Sequence, residues 1–301
     1  MRPARKIETL VPQWDDYELL DTGNGKKLER FGELALIRPE PQARWSPNLP
    51  KQPWEAADGE FVKRAGTPGA WKIRKGIPER WTMQRGALKF WVQPAPSGHV
   101  GVFPDQACHW DWMTEIIGAA SRPVRMLSLF GHTGLATLAA AAAGAQVTHV
   151  DASKKAVAWA RENQQQSGLT ERPIRWIVED ALTFVRRESR RGHRYNALMI
   201  DPPKFGRGPD GEIWKLDESL PELLDACGEI LSTSPAFILL NVYTTVLTQG
   251  RAEKEAEQLR SFLKKMPRAA SVAITAGELM LEDKAGRKIS ASVFARAHLT
   301  K

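Results

Sequence analysis

Val124-Arg-Met-Leu-Ser-Leu-Phe130-Gly131-His132-Thr133-Gly134 decides the reading of this chain. Seven mostly apolar residues read as a buried strand, and the glycine-bearing turn after them opens an alanine-rich run that reads as a helix from Thr133 to Ala143. Gly131 and Gly134 permit close approach of backbone to a ligand. A helix start just behind them presents unpaired N–H groups and a partial positive charge. The turn lacks the Gly-x-Gly-x-x-Gly pattern of dinucleotide sites, which disfavours a nicotinamide dehydrogenase.

Downstream the same alternation continues. Strands are expected at Gln146–Val150, Ile174–Val178, Ala197–Ile200 and Ala236–Asn241. Helices are expected at Ala152–Ser167, Ala181–Arg190, Asp217–Leu231 and Gln249–Lys265. Val272–Leu281 and Ile289–His298 flank the turn Asp283–Gly286 and read as a closing hairpin. Five parallel strands plus that pair make a seven-stranded, doubly wound α/β sheet. Ala107–Ala120 reads as a helix leading into it.

Acids follow three of these strands: Asp151, Asp180 and Asp201. Open parallel sheets bind ligands beyond the carboxyl ends of their strands. Each acid also suits a helix N-cap, but three of them on one rim of one sheet favour a shared site. Asp151 has the reach to accept ribose hydroxyls. Asp201 opens Asp201-Pro202-Pro203-Lys204-Phe205, where two prolines remove backbone donors and hold the chain extended. An acid, rigid carbonyls left free to accept, and an aromatic plate suit a planar polar group such as a nucleobase. Phe205 as a core residue is the plainer alternative.

The first hundred residues differ. They hold six of the eleven tryptophans and read as a small β-rich domain (1–100) ahead of the α/β domain (101–301). Tyr17–Leu20, Leu34–Ile37 and Leu88–Val92 read as strands, Asp21–Gly25 as a hairpin turn, and Pro39–Pro53 as an extended, unpacked segment. Lys63, Arg64, Lys72, Arg74, Lys75, Arg80, Arg85 and Lys89 face a single acid, Glu79, with Phe61, Trp71, Trp81, Phe90 and Trp91 among them. Cations interleaved with aromatic plates fit phosphate contact and base stacking. The formal net charge of +8 agrees. No apolar run reaches the roughly 18 residues that span a bilayer. Two cysteines, Cys108 and Cys227, argue against a disulfide scaffold. The histidines show no metal spacing, and a cytoplasmic location is expected.

Leu127–Gly134, Val150–Ser153 with Ala158–Asn163, Glu179-Asp180 and Asp201–Phe205 together resemble class I S-adenosylmethionine-dependent methyltransferases. The chain looks most like the large-subunit ribosomal RNA methyltransferases that share Asp-Pro-Pro-x-Phe, over residues 98–298. The resemblance implies a Rossmann-like methyltransferase sheet with S-adenosylmethionine as cofactor and no metal. Gly131, Thr133 and Gly134 would flank the methionine part, Asp151 would take the ribose and Asp180 the adenine. Ser128, Phe130, Ala152, Ala181 and Asp201 complete the expected cofactor set. Asp201, Pro202, Pro203 and Phe205 form the expected catalytic group, and Lys204, Phe205 and Arg207 the expected substrate contacts. One departure stands out: Ala107 follows Asp105-Gln106 where the relatives usually carry arginine. Methylation of cytosine carbon-5 needs a thiolate, and Asn241–Thr245 after the fifth strand holds no cysteine. A base nitrogen in ribosomal RNA is therefore the expected acceptor. A protein or small-molecule acceptor, or an inactive nucleic-acid-binding protein of this fold, are the alternatives.

Overall fold

A computed structural model describes residues 7–63, 66, 68–233, 236–243, 251–266 and 273–298. Arg64, Thr244, Thr245, Gln249 and Val272, all named above, lie outside the described residues. The N-terminal elements are β1 (Glu8–Leu10), β2 (Tyr17–Gly23), β3 (Lys26–Phe31), β4 (Leu34–Pro39), α1 (Lys51–Glu55), β5 (Gly59–Val62), β6 (Ala70–Ile73), β7 (Trp81–Arg85) and β8 (Leu88–Val92). Then follow α2 (Ala107–Ala119), β9 (Arg125–Leu129), α3 (Leu135–Ala142), β10 (Gln146–Asp151), α4 (Lys154–Gln166), β11 (Ile174–Val178), α5 (Ala181–Arg190) and β12 (Ala197–Ile200). The chain continues through β13 (Phe205–Arg207), β14 (Ile213–Lys215), α6 (Leu216–Ile230), β15 (Phe237–Tyr243), α7 (Arg251–Lys265), β16 (Ala273–Glu282) and β17 (Lys288–His298).

The main sheet runs β1-β16-β17-β15-β12-β9-β10-β11. Only β17 opposes its neighbours; every other pairing in this sheet is parallel. Strand order reverses at β9, which lies between β10 and β12. A crevice opens at such a switch point. The central strands β12 and β15 carry almost uninterrupted apolar residues because helices cover both faces.

The seven expected strands are present, and an eighth joins them. β1 adds to the edge at β16, pairing Glu8 with Gly277. A side chain at Gly277 would strike the Glu8 carbonyl and the Phe294 ring, so glycine there admits the extra strand. Further elements escaped the sequence reading, among them β3, β5, β6 and β7 of the N-terminal region. β13 and β14 form a short antiparallel hairpin directly after Pro203, and α1 interrupts the proline-rich segment.

In the N-terminal region β2-β3-β4-β5-β6 form one sheet and β7-β8 a separate hairpin. Asn24 and Gly25 turn β2 into β3 with positive φ values of 52° and 75°, as a two-residue hairpin loop requires. Residues 39–53 are packed rather than merely extended. Asp21, 1% exposed, accepts from Asn48 N (3.1 Å), Leu49 N (2.8 Å) and Trp54 Nε1 (3.0 Å). A buried carboxylate must find donors, and this one gathers the proline-rich segment to do so.

No buried boundary separates the two regions. Tyr17, Phe31, Met83 and Phe90 belong to one apolar cluster with Trp110, Met113, Met126 and Leu138. Thr22 Oγ1 donates to Asp283 Oδ2 at 2.6 Å, and Arg287 bridges Asp21 and Asp283. No helix among the described residues is long and apolar enough to cross a membrane.

Candidate active site

A cleft of about 580 Å³ opens over the switch point. The three strand-end acids converge on it: Asp151, Asp180 and Asp201 all line it. So do Phe130, Ala152, Ala181, Pro202, Pro203, Lys204, Phe205 and Arg207. Ser128, Gly131 and Thr133 line a second space of about 50 Å³ beneath the loop, shared with Asp201. Gly134 lines neither.

The loop after β9 is strained. Phe130 and His132 hold φ of 57° and 48°, where non-glycine residues cost roughly 1–3 kcal/mol each. Surrounding bonds hold it: Gly131 N donates to Val150 O at 3.1 Å, and Gly134 N to Gly131 O at 2.9 Å. A Cβ on Gly131 would overlap the His149 imidazole, so the loop backbone lies flat on the sheet. Thr133 faces inward instead of into the cleft, its hydroxyl donating to Gly101 O at 2.5 Å.

Asp151 accepts His132 N at 2.9 Å and Ser153 N at 2.8 Å. Burial pushes its carboxyl above the usual range, and these two N–H groups pull it back. Each oxygen keeps a lone pair for a further donor. Asp180 is indeed a cap, accepting Thr183 N at 2.9 Å at the start of α5. Cap and cleft lining coexist, so the two sequence readings of this residue were never exclusive.

Asp201 ends β12 at the floor. Asn241 Nδ2 donates to its Oδ1 at 2.7 Å and Gln106 Nε2 to its Oδ2 at 3.1 Å. Burial, helped by the charge of Asp105, pushes its pKa up to about 7 against the pull of those two amides. Asp105 itself is raised by burial and drawn back by Lys27 and Arg38 from the N-terminal sheet. Ala107 is fully buried at the start of α2.

The proline carbonyls are not both free. Pro203 O accepts the buried Trp214 indole at 2.7 Å, because an enclosed indole N–H needs a partner. That bond anchors the β13–β14 hairpin over the cleft. Phe205 is 56% exposed on it, so it is not a core residue. Phe103 and Tyr243, also large and exposed, stand on the same rim.

The interleaved aromatics of residues 61–91 turn out to be structural. Phe61 and Phe90 are buried, and the Trp71 and Trp81 indoles donate to Ala95 O and Phe31 O. Arg80 stacks on Trp91 and pairs with Glu162 at 2.8 Å. Lys63, Lys72, Lys75 and Lys89 remain exposed.

Sequence reasoning missed Phe103, Asp105, Glu179, Trp214, Asn241, Tyr243 and Ser292 in the lining. It also overlooked Gln106, whose Oε1 is buried without a partner, as is Ser128 Oγ. Both orphan acceptors adjoin the loop. Together with the flattened glycine and the row of acids they fit a small polar ligand carrying amine and hydroxyl donors, as the amino-acid and ribose parts of S-adenosylmethionine do.

The family model described as Conserved hypothetical protein 95 matches residues 111–209. A solved S-adenosylmethionine-dependent methyltransferase from Agrobacterium tumefaciens is 41% identical, with a TM-score of 0.89 over 98% of this chain and 94% of that one. The chain belongs to the S-adenosylmethionine-dependent methyltransferases, and S-adenosylmethionine is its cofactor. SMU.776, a methyltransferase solved with S-adenosylhomocysteine, shares the fold at 19% identity, with a TM-score of 0.71 over 94% of this chain and 75% of that one. Ribosomal RNA large subunit methyltransferase K/L of Shewanella frigidimarina is 30% identical over 129 residues, which are 42% of this chain. The same-named protein of Shewanella baltica strain OS195 is 35% identical over 126 residues. The matched stretch covers only 18% and 17% of those proteins.

Proposed function

We propose that this methyltransferase modifies a base nitrogen in RNA, with large-subunit ribosomal RNA as the first candidate. The observation that carries the proposal is Asp201: a half-buried carboxyl held by two amide donors, in the cleft that the exposed Phe205 also lines. S-adenosylmethionine, when bound, supplies a methyl group on a positively charged sulfur. Phe205 would stack on a flat acceptor and hold its nitrogen in line. Asp201 and the Pro202 carbonyl would accept hydrogen bonds from an exocyclic amine, which raises electron density on nitrogen. As the new carbon–nitrogen bond forms, the methyl–sulfur bond breaks and its electron pair stays on sulfur, so the positive charge passes to nitrogen and a proton must leave. A carboxylate with a pKa near 7 is suited to stabilise that charge and take the proton at neutral pH.

No cysteine lines the cleft among the described residues. Cys227 is fully enclosed on α6 and burial pushes its thiol well up; Cys108 is raised to about 11. Neither supports thiolate chemistry on carbon-5. Asp151 and Asp180 would hold the ribose and adenine, with Ala152 and Ala181 beside them. Lys204 and Arg207 would contact phosphate near the cleft, and the exposed lysines of the N-terminal region would meet a longer stretch of backbone. The RNA reading draws on the names of the partial relatives and on this charge.

Mass spectrometry of ribosomal RNA nucleosides from cells with and without the gene tests the proposal. Loss of one N-methylated nucleoside, restored by the wild-type gene, is expected. An unchanged nucleoside profile, or loss of a carbon-5 methyl mark, overturns it.

A further inference from the structure

Asp201 lies at the end of a buried polar chain that spans three elements. Arg296 on β17 directs its guanidinium at His109 on α2, with Nε 3.2 Å and Nη2 2.6 Å from Nδ1. Its Nη2 also donates to Cys108 O at 2.9 Å. His109 Nε2 lies 3.1 Å from Asn241 Oδ1 on β15, and Asn241 Nδ2 reaches Asp201. His109 and Asn241 have no exposed surface.

The direction of every bond follows from the arginine. A guanidinium only donates, so His109 Nδ1 must accept. Burial and the adjacent guanidinium push the His109 pKa well below its usual value, so the ring is neutral and carries its one hydrogen on Nε2. That hydrogen goes to Asn241 Oδ1. The amide nitrogen of Asn241 is then the end that faces Asp201. With the opposite tautomer, Nε2 would accept, Asn241 would turn over, and its carbonyl oxygen would face the carboxylate. Two facing acceptors favour a protonated Asp201, which donates where an amine needs an acceptor.

We propose that Arg296, His109 and Asn241 are positioning residues that fix the Asn241 amide and thereby keep Asp201 an ionised hydrogen-bond acceptor. This rests on the reading of Asp201 as the group that meets the acceptor nitrogen. The other groups acting on Asp201 are Asp105, whose charge opposes ionisation, and Gln106, which supplies the second donor. Lys27 and Arg38 act on Asp105. Arg296 lies against the rings of Trp112 and Phe294, each 4.8 Å from its central carbon; burial lowers its pKa to about 10, still charged at neutral pH, and Glu8 of β1 pulls it back up. The closing strand and the N-terminal strand thus both bear on the floor of the cleft.

Carbon-13 NMR of the whole chain labelled at aspartate carboxyls reads the Asp201 titration without any acceptor, and Asp201→Asn identifies its resonance. Arg296→Met is expected to move the midpoint up by about one pH unit or more, and Arg296→Lys to return it towards wild type. The acidic limb of methyl transfer to large-subunit ribosomal RNA from cells lacking the gene should move in parallel. Should Arg296→Met fail to fold, His109→Phe, which removes the ring nitrogen facing Asn241 Oδ1 and leaves the Asn241 amide in place, carries the same test. An Asp201 midpoint unmoved in the folded variants overturns the relay, even if Asp201→Asn is inactive. An active Asp201→Asn instead overturns the role given to Asp201 and leaves the titration standing.

Discussion

Asp201 combines two features that pull against each other: enclosure, which penalises its charge, and two amide donors, which favour it. Replacing it with Asn keeps the size and removes the charge, so kcat should fall about 10²–10⁴-fold with cofactor binding largely kept. The rate should rise with pH with a midpoint near 7, checked by initial rates from pH 5.5 to 8.5. Stability should respond in the opposite sense. The folded-state pKa lies above that of an unfolded aspartate, so the folded chain binds this proton more tightly. The contribution is fully present below about pH 4 and is lost as pH rises towards 7. The Tm of Asp201→Asn relative to wild type should therefore shift in the variant's favour between pH 4 and pH 8. A difference independent of pH would show that Asp201 does not titrate in this range.

The acids at the strand ends were legible because short apolar runs give way to one acid, or to the Glu179-Asp180 pair, a pattern that survives without tertiary knowledge. The Arg296–His109–Asn241 chain was not. Its members lie 132 and 187 positions apart, and Asn241 sits inside a run otherwise apolar. Nothing local marks such residues as partners. Gln106 was visible as part of a resembling segment, but its orphaned oxygen emerges only when the turn before α2 packs beneath the loop.

At the scale of elements, Asp180 caps α5 and also lines the cleft. Asp180→Ala should lose about 1 kcal/mol of stability from the missing cap and also weaken S-adenosylhomocysteine binding. Asp180→Ser restores an N-cap oxygen without the carboxylate, so it should recover the Tm but not the affinity. Calorimetric titration beside thermal melts separates the two, and full recovery of affinity in the serine variant would assign Asp180 to capping alone. The β13–β14 hairpin escaped detection for an energetic reason. Three-residue strands carry almost no periodic signal, and this pair depends on the Trp214–Pro203 bond. β1 was hidden likewise: Glu-Thr-Leu becomes a strand only because the β16 edge is there to receive it.

Across the whole molecule, the composition changes near residue 100, from tryptophan-rich hairpins to alternating strand and helix, and the sequence reading drew a domain boundary there. It is not a break in packing, since one apolar cluster runs through both regions. Calorimetry should accordingly show a single cooperative unfolding transition, and two separable transitions would contradict the shared core. Arg287 is the polar counterpart of that core. Arg287→Met would leave Asp21 and Asp283, 1% and 4% exposed, without their counter-charge. Stranding buried charge costs about 3–5 kcal/mol, so the Tm of the entire chain should fall, read by the same calorimetry.

The continuous core also limits how such an enzyme can be re-engineered or shuffled. Exchanging the first hundred residues between two homologues would transplant half of a jigsaw, because Tyr17, Phe31 and Phe90 share one apolar cluster with Trp110, Met113 and Leu138. Chimeras seeking a new nucleic-acid preference should instead exchange only the solvent-facing tip of the β13–β14 hairpin, residues 208–212, and keep the buried Trp214 that ties β14 to the core.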